Sequence, residues 1–234
     1  MADGKDKTSD QNQKITAWLP PTMVTLCDTN MRMTSVDGAF QLYGHPKEAM
    51  QKVRSMKAYF KLRYDIQSHP EDSKTNWNVG EVCVARFGQH WYRAKIIEMN
   101  NTRRYAGVVY VDLGNVREVD ILDLRIARAF GDQPILAIRM VLESTVPAND
   151  DKVFPHHTLE AIQEEIGYWN TGYVKVTSTR EVTTFPIPVK LYLIQKGKVE
   201  KKENFSRILR RCGLANKGEV NLSNPDFSLY ARVD

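Results

Sequence analysis

Apolar residues recur with two different periods along this chain, and the switches between them mark its parts. Residues 1–14 show neither period and hold no aromatic residue, so they are read as a disordered lead-in. Val24 and Leu26 alternate with polar neighbours, as do Phe40 and Leu42, and Asp37-Gly38 supplies a turn signal between the two runs. That pattern predicts two strands. Pro46 then opens a helix, because its missing N–H is harmless in a first helical turn. Ala49, Val53, Met56, Phe60 and Tyr64 follow at spacings of four, three, four and four. They line one face of a helix of about 20 residues, roughly 30 Å long. The polar stretch SHPEDSKTN ends it.

From Val79 the period is that of strands. EVCVARF, WYRAKIIEM, YAGVVYVDL and VREVDI are β-rich and are punctuated by Gly80, Gly88, Gly107 and Gly114. Four or five short strands within about 50 residues predict a small barrel. Beyond Phe130, Leu136, Ile138, Met140 and Leu142 alternate as a strand, and Leu159, Ile162 and Ile166 mark a helix that Gly167 ends. Val174 and Val176 suggest a further strand, and Ile187, Val189, Leu191 and Leu193 another. Asn204 can cap a last helix carrying Phe205, Ile208, Leu209 and Cys212, stopped by Gly213. The expected class is α+β, mainly β. Residues 77–130 form a small barrel inserted between the two parts of a second lobe. Residues 15–76 are the first part with its linking helix, 131–216 are the second, and 217–234 are a tail.

Composition narrows the function class without naming it. The 234 residues are 42% hydrophobic and 26% charged, near the average for globular chains and far from collagen, coiled coil or disulfide scaffold. No apolar run approaches the roughly 18 residues of a membrane span. The opening MADGKDKTSDQNQK lacks the apolar core of a signal peptide. Cys27, Cys83 and Cys212 are scattered and form no CxxC pair, so reduced thiols in an intracellular protein are expected. The net charge is only +5, but its distribution is uneven. Residues 195–211 hold seven basic residues against Glu200 and Glu203, and residues 108–123 hold Asp112, Glu118, Asp120 and Asp123 against Arg117. An acidic segment in a basic chain suits a basic ligand, although two ordinary solvated faces would look the same.

Two segments within the barrel bring aromatic and polar groups together. Phe87-Gly88-Gln89-His90-Trp91-Tyr92-Arg93-Ala94 is followed, about 20 residues on, by Val109-Tyr110-Val111-Asp112-Leu113-Gly114-Asn115. Neighbouring antiparallel strands could gather Phe87, Tyr92 and Tyr110 around one hollow. Aromatic walls beside an amide or carboxylate suit a delocalised cation such as a guanidinium. The same rings could equally fill the core of a small barrel.

The pair F-x-x-x-W-Y-R-A and V-x-Y-x-D-x-G-N resembles the Tudor domain, and the element order around it resembles the extended Tudor module of the germline Tudor-domain family. The resemblance covers nearly the whole chain from Ile15 to Ala215, including the stretch Arg-Arg-Cys-Gly-Leu-Ala near its end. It implies a Tudor barrel inserted, through a long helix, into a staphylococcal-nuclease-like OB-fold lobe. It implies a non-catalytic scaffold of small-RNA (piRNA-type) silencing that docks the arginine-rich N-terminal tail of a Piwi/Argonaute protein, in cytoplasmic, perinuclear germ granules. Carried over by position, the cage aromatics are Phe87, Tyr92 and Tyr110. The amide for the guanidinium is Asn115, and Asp112 is the family's turn carboxylate, more a backbone acceptor than a ligand contact. The fourth cage position, normally aromatic, is Leu113, and the Phe87-to-Tyr92 spacing is shorter than in typical members. Both departures point to weak or no dependence on arginine methylation. The alternative is a symmetric dimethylarginine reader with a three-aromatic cage. The peptide is expected to cross the cage and run along the seam where the 136–142 strand and the long helix meet the barrel.

Other residues carry less. Trp91 is expected in the barrel core and Arg93 on a solvated strand face. Asp120 and Asp123 could attract a basic peptide through their field or simply be solvated. His156-His157 are adjacent and so cannot readily share one metal from a helix, and no Cys/His cluster has zinc spacing. A nuclease-like lobe raises the question of phosphodiester cleavage, which needs clustered carboxylates and arginines. Asp28, Asp37 and Arg32 lie in the lobe's strands, but fold analogy alone does not make them a site. No cofactor is expected. Single-stranded RNA binding through the lobe and the basic 195–211 segment is a second alternative, weakened by Phe205 being its only aromatic.

Overall fold

The computed structural model describes residues 13–37, 41–100, 102, 104–148, 154–169, 174–179, 185–195 and 201–219. Strands β1 (Thr29–Val36) and β2 (Gln41–Pro46) are followed by helix α1 (Met50–Lys61). Then come β3 (Val82–Phe87), β4 (His90–Asn100), β5 (Tyr105–Tyr110), β6 (Val116–Asp120) and β7 (Leu124–Ile126). The chain continues with β8 (Ile138–Leu142), β9 (Val146–Pro147), α2 (His156–Trp169), β10 (Val174–Ser178), β11 (Ile187–Gln195), β12 (Lys201–Asn204), α3 (Phe205–Arg211) and β13 (Ala215–Asn216).

Two sheets organise these elements. In the outer lobe the order is β10-β1-β2-β8-β11-β12, and β10 also pairs with β11, so five strands close on themselves. Strands β8 and β11 run parallel while their other neighbours are antiparallel. Helix α2 lies between the third and fourth strands of this ring in chain order. That is a closed five-stranded OB-type barrel, as expected. Its core gathers Met31, Leu42, Met140, Leu142, Val176, Val189, Leu191 and Leu193 with Phe205, Ile208 and Leu209 of α3. Between β2 and β8 the chain builds the second sheet, β6-β5-β4-β3-β7, wholly antiparallel. Its concave face encloses Cys83, Ala85, Ala94, Ile96, Ala106, Val108, Tyr110, Val119 and Leu124. The fold is mainly β, with the small barrel inserted through the helix.

The long helix is continuous from Lys47 to Ile66 but changes pitch twice. A 3₁₀ turn, Lys47–Ala49, leads into α1, and a π-helical turn, Leu62–Ile66, follows it. Val53, Met56, Phe60 and Tyr64 form the buried stripe. Met56, Phe60 and Tyr64 meet Val82, Val84, Trp91 and Val111 on the outer face of the small barrel, with Trp18, Ala127 and Ile135 completing a third cluster. The expectation for Trp91 is therefore corrected. It is 2% exposed but points away from the barrel interior, against α1, with Asp65 accepting from its indole N–H at 2.8 Å. Alternation along β4 sends Tyr92, Ala94 and Ile96 inward and Trp91 and Arg93 outward.

The strand expected around Val24 and Leu26 starts later, at Thr29. Leu26 is buried, but its N–H donates to the Ser178 hydroxyl oxygen at 2.8 Å rather than to a ladder partner. The register of β1 on β2 shifts between Met33 and Ser35, which places Met31 and Val36 inward five residues apart and hides the two-residue period. Helix α2 runs on through Gly167 to Trp169 instead of stopping at the glycine. Residues 1–12 of the lead-in and 220–234 of the tail lie outside the described residues, as do Gly38, Phe40, and Lys196, Lys198 and Glu200 of the basic segment. Asn204 does cap α3, its side-chain oxygen accepting from the Arg207 N–H at 3.2 Å. One link was not legible in the sequence. Asp72, fully buried, accepts from Arg63 Nε and Arg128 Nε, tying the end of the long helix to the segment after β7.

Candidate functional site

Three rings meet on the concave face of the small barrel because of strand register. Ala85 lies opposite Tyr92, Phe87 opposite His90, and Ala94 opposite Tyr110. Phe87 at the end of β3, Tyr92 on β4 and Tyr110 at the end of β5 thus point to one side. Their ring centroids are 5.3 Å (Phe87–Tyr110), 6.1 Å (Tyr92–Tyr110) and 6.3 Å (Phe87–Tyr92), with interplanar angles of 44°, 81° and 63°. The rings are inclined rather than stacked and lie in mutual edge or tilted contact, making a three-ring aromatic box of which Tyr110 is part of the barrel core. Tyr110 is fully buried and donates its hydroxyl to the Arg86 carbonyl, and burial pushes that phenol well above its usual range. The ring is fixed and neutral. Phe87 is 38% exposed and is the accessible wall.

The loop after β5 supplies the polar group. The Leu113 and Gly114 N–H groups both donate to the Tyr110 carbonyl, at 2.9 and 2.8 Å, and the Tyr110 N–H donates to the Asn115 carbonyl at 3.0 Å. Asn115 thus sits directly across the ladder from Tyr110, on the same face, at the cross-strand separation of roughly 5 Å that lets side chains interact. Its side-chain oxygen is buried and has no hydrogen-bond partner among the described residues. A buried acceptor left unpaired costs about 1–3 kcal/mol. Leu113 is half-buried and packs on the same core cluster as Tyr92 and Tyr110.

Asp112 belongs to the support rather than to the box. Its carboxylate accepts from Arg93 Nε at 2.8 Å and Arg93 Nη2 at 2.6 Å, and from the Leu136 N–H at 2.9 Å. Arg93 also donates to the carbonyls of Phe130, Gln133 and Pro134, and stands over the Trp18 ring at 5.1 Å. One expectation is corrected here, since Arg93 is not solvated; Asp112 accepts from a backbone N–H, that of Leu136, as well as from Arg93. Arg93 is 0% exposed, because outward on β4 means into the packed seam between barrel, N-terminal segment and lobe. The lobe grips the same loop. Thr34 donates to the Leu113 carbonyl at 2.7 Å, and His45 Nε2 donates to the Asp112 carbonyl.

Two cations at the rim were not expected. Lys57 of α1 lies 5.3 Å from the Tyr92 centroid, and Arg117 of β6 lies 5.9 Å from the Phe87 centroid. The usable signal was register: Arg117 faces Val108, so it shares the concave face with Val119 and Asn115. The other candidates are engaged elsewhere. Asp120 caps the turn Ile121–Asp123, and Asp123 lies 3.9 Å from Arg86. Asp28 pairs with Lys202 at 3.1 Å, while Asp37 accepts from the Gln41 N–H and the Tyr43 hydroxyl. His156 faces Glu160 one turn on. Among the described residues no group of three or more His, Cys, Asp or Glu is placed to hold a metal, and no helix is long and apolar enough to cross a membrane.

Known proteins share this architecture. The Tudor domain family model matches residues 26–144, more than half of the chain. The chain is 30% identical over 90 residues to Tudor domain-containing protein 1 of Danio rerio, covering 38% of this chain and 7% of that protein. It is 26% identical over 117 residues to Protein tudor of Drosophila melanogaster, covering 49% of this chain and 4% of that one. It thus spans less than a tenth of the length of the curated relatives it matches. Among solved structures, the human TDRD1 extended Tudor domain in complex with a symmetrically dimethylated peptide superposes with a TM-score of 0.66 at 18% identity, covering 91% of this chain and all of that one. A variant of the Drosophila melanogaster Papi extended Tudor domain, in complex with an unmethylated Piwi N-terminal peptide, gives 0.67 at 15%, covering 81% and 99%. With the matched family model spanning both the lobe's first strands and the whole small barrel, this chain belongs to the Tudor family and has the extended Tudor fold.

Proposed function

We propose that this chain is a non-catalytic peptide-binding module that takes an arginine of its partner into the box formed by Phe87, Tyr92, Tyr110 and Leu113, with Asn115 as the polar contact. The observation that carries this reading is the buried, unpartnered oxygen of Asn115 beside three inclined rings. A guanidinium is planar and carries five donors and no acceptor, so it matches an acceptor at the edge of an aromatic box. The charge-assisted hydrogen bond contributes about 1.5–3 kcal/mol. With leucine as the fourth wall, methylation adds little, since an aliphatic side chain has no ring face to attract the methylated cation.

The partner proposed is the arginine-rich N-terminal tail of a Piwi/Argonaute protein, within a small-RNA silencing scaffold of the germ granule. The Piwi N-terminal peptides bound by Papi extended Tudor domains, in unmethylated and dimethylated forms, support the partner class. Residues flanking the arginine would follow the seam where α1 and β8 meet the small barrel. Calorimetry with one arginine peptide in unmodified and symmetrically dimethylated forms tests this. Both forms are expected to bind within a few-fold of each other. Asn115→Ala is expected to weaken both by about tenfold or more while costing about 1 kcal/mol of stability or less. Unchanged affinity in a folded Asn115→Ala protein would remove the box as the docking point.

A further inference from the structure

We infer that Arg117 and Lys57 make this site read, among the arginines of its partner's tail, one flanked by acidic residues. The inference rests on the box being the arginine site. Two of its three rings already carry a cation of this chain: Arg117 on Phe87 at 5.9 Å and Lys57 on Tyr92 at 5.3 Å. Both fall within the roughly 6 Å over which a ring face attracts a cation. They come from different elements, Arg117 from β6 and Lys57 from α1.

Backbone register makes the Arg117 position robust. It is two residues from Asn115 and opposite Val108, so β-strand alternation aims it over the concave face, while Glu118 is aimed to the other. The nearby acids face other groups. Asp65 accepts from the Trp91 indole, and Asp123 lies beside Arg86.

A guanidinium entering the box must share it with two like charges. Arg117 is exposed and can swing off Phe87, but it then needs a counter-charge. An aspartate, glutamate or phosphorylated residue next to the partner's arginine supplies it, whereas a second arginine in that adjacent position adds repulsion. Charge at the rim therefore sets which arginine is read, while the rings and Asn115 set that an arginine is read.

Two synthetic peptides of equal length test this, one with its single arginine between glycines and one with it between aspartates. The unaltered protein is expected to bind the aspartate-flanked peptide at least fivefold more tightly at low salt. Arg117→Ala with Lys57→Ala is expected to bring that ratio close to one and to tighten binding of the glycine-flanked peptide. Equal affinities in the unaltered protein, or a ratio that survives both substitutions, would overturn the inference and leave the box intact. Failure of both peptides to bind, or binding that Phe87→Ala and Asn115→Ala leave unchanged, would overturn the box and this inference with it.

Discussion

Gly114 lies flat against the ring of Tyr43: a Cβ built on residue 114 would stand 2.1 Å from the Tyr43 Cγ. Gly114 is also in the left-handed region, at φ +85°. The contact locks the loop carrying Leu113 and Asn115 onto β2 of the outer lobe, so the box and the lobe are positioned by one another. Gly114→Ala combines two penalties, roughly 1–2 kcal/mol for the backbone conformation and about 1–3 kcal/mol for overpacking. The expected outcome is a loss of about 2–5 kcal/mol in denaturant unfolding, with peptide affinity falling as the loop shifts. An unchanged midpoint would mean that lobe and barrel are not coupled through this contact.

Arg93 and Asp112 form an ion pair buried on both sides, 2.6 Å apart at its closer contact. Removing one member strands the other without water, which costs about 3–5 kcal/mol. Asp112→Asn and Arg93→Met are each expected to lose stability on that scale in chemical denaturation. The paired change Arg93→Met with Asp112→Leu is expected to cost less than the two single losses together. Strict additivity would show that the two residues do not act as a pair.

Leu113→Tyr restores a ring to the wall where this chain has an aliphatic side chain. A ring face attracts a cation by about 0.5–2 kcal/mol. The substitution is expected to raise affinity for a symmetrically dimethylated arginine peptide several-fold, with a smaller change for the unmodified one. Tenfold or greater preference for the dimethylated form in the unaltered protein would show that three rings suffice.

His45 sets a pH dependence for the seam. Burial disfavours its imidazolium and lowers its pKa from the usual 6.5, although the hydrogen bond to the Asp112 carbonyl acts the other way. The folded state therefore binds this proton less readily than the unfolded state. The stability that neutral His45 contributes is complete above about pH 6.5 and declines as the pH falls below it towards the lowered folded value. His90 shifts in the same direction, so His45→Gln is the control. Melting temperature is expected to fall between pH 7 and pH 5, and to fall less in His45→Gln. Equal slopes in the two proteins would count against a neutral, buried His45.

The local rules of the chain determined the parts. The helically spaced stripe Val53, Met56, Phe60 and Tyr64, the glycine-punctuated strands after Val79 and the Asn204 cap are each properties of a few neighbouring residues, and each is present in the structure. The gathering of Phe87, Tyr92 and Tyr110 was also foreseeable, since antiparallel strands of that spacing leave little choice of face. What sequence could not decide was which face of β4 meets water. Trp91 and Arg93 look outward from the small barrel, and outward became interior only because α1, the Trp18 segment and the stretch Phe130–Pro134 cover that side. In the same way, the roles of Asp112, Asp72 and Arg117 depend on partners 9 to 56 residues away or on the opposite strand, which only the packed chain brings within reach.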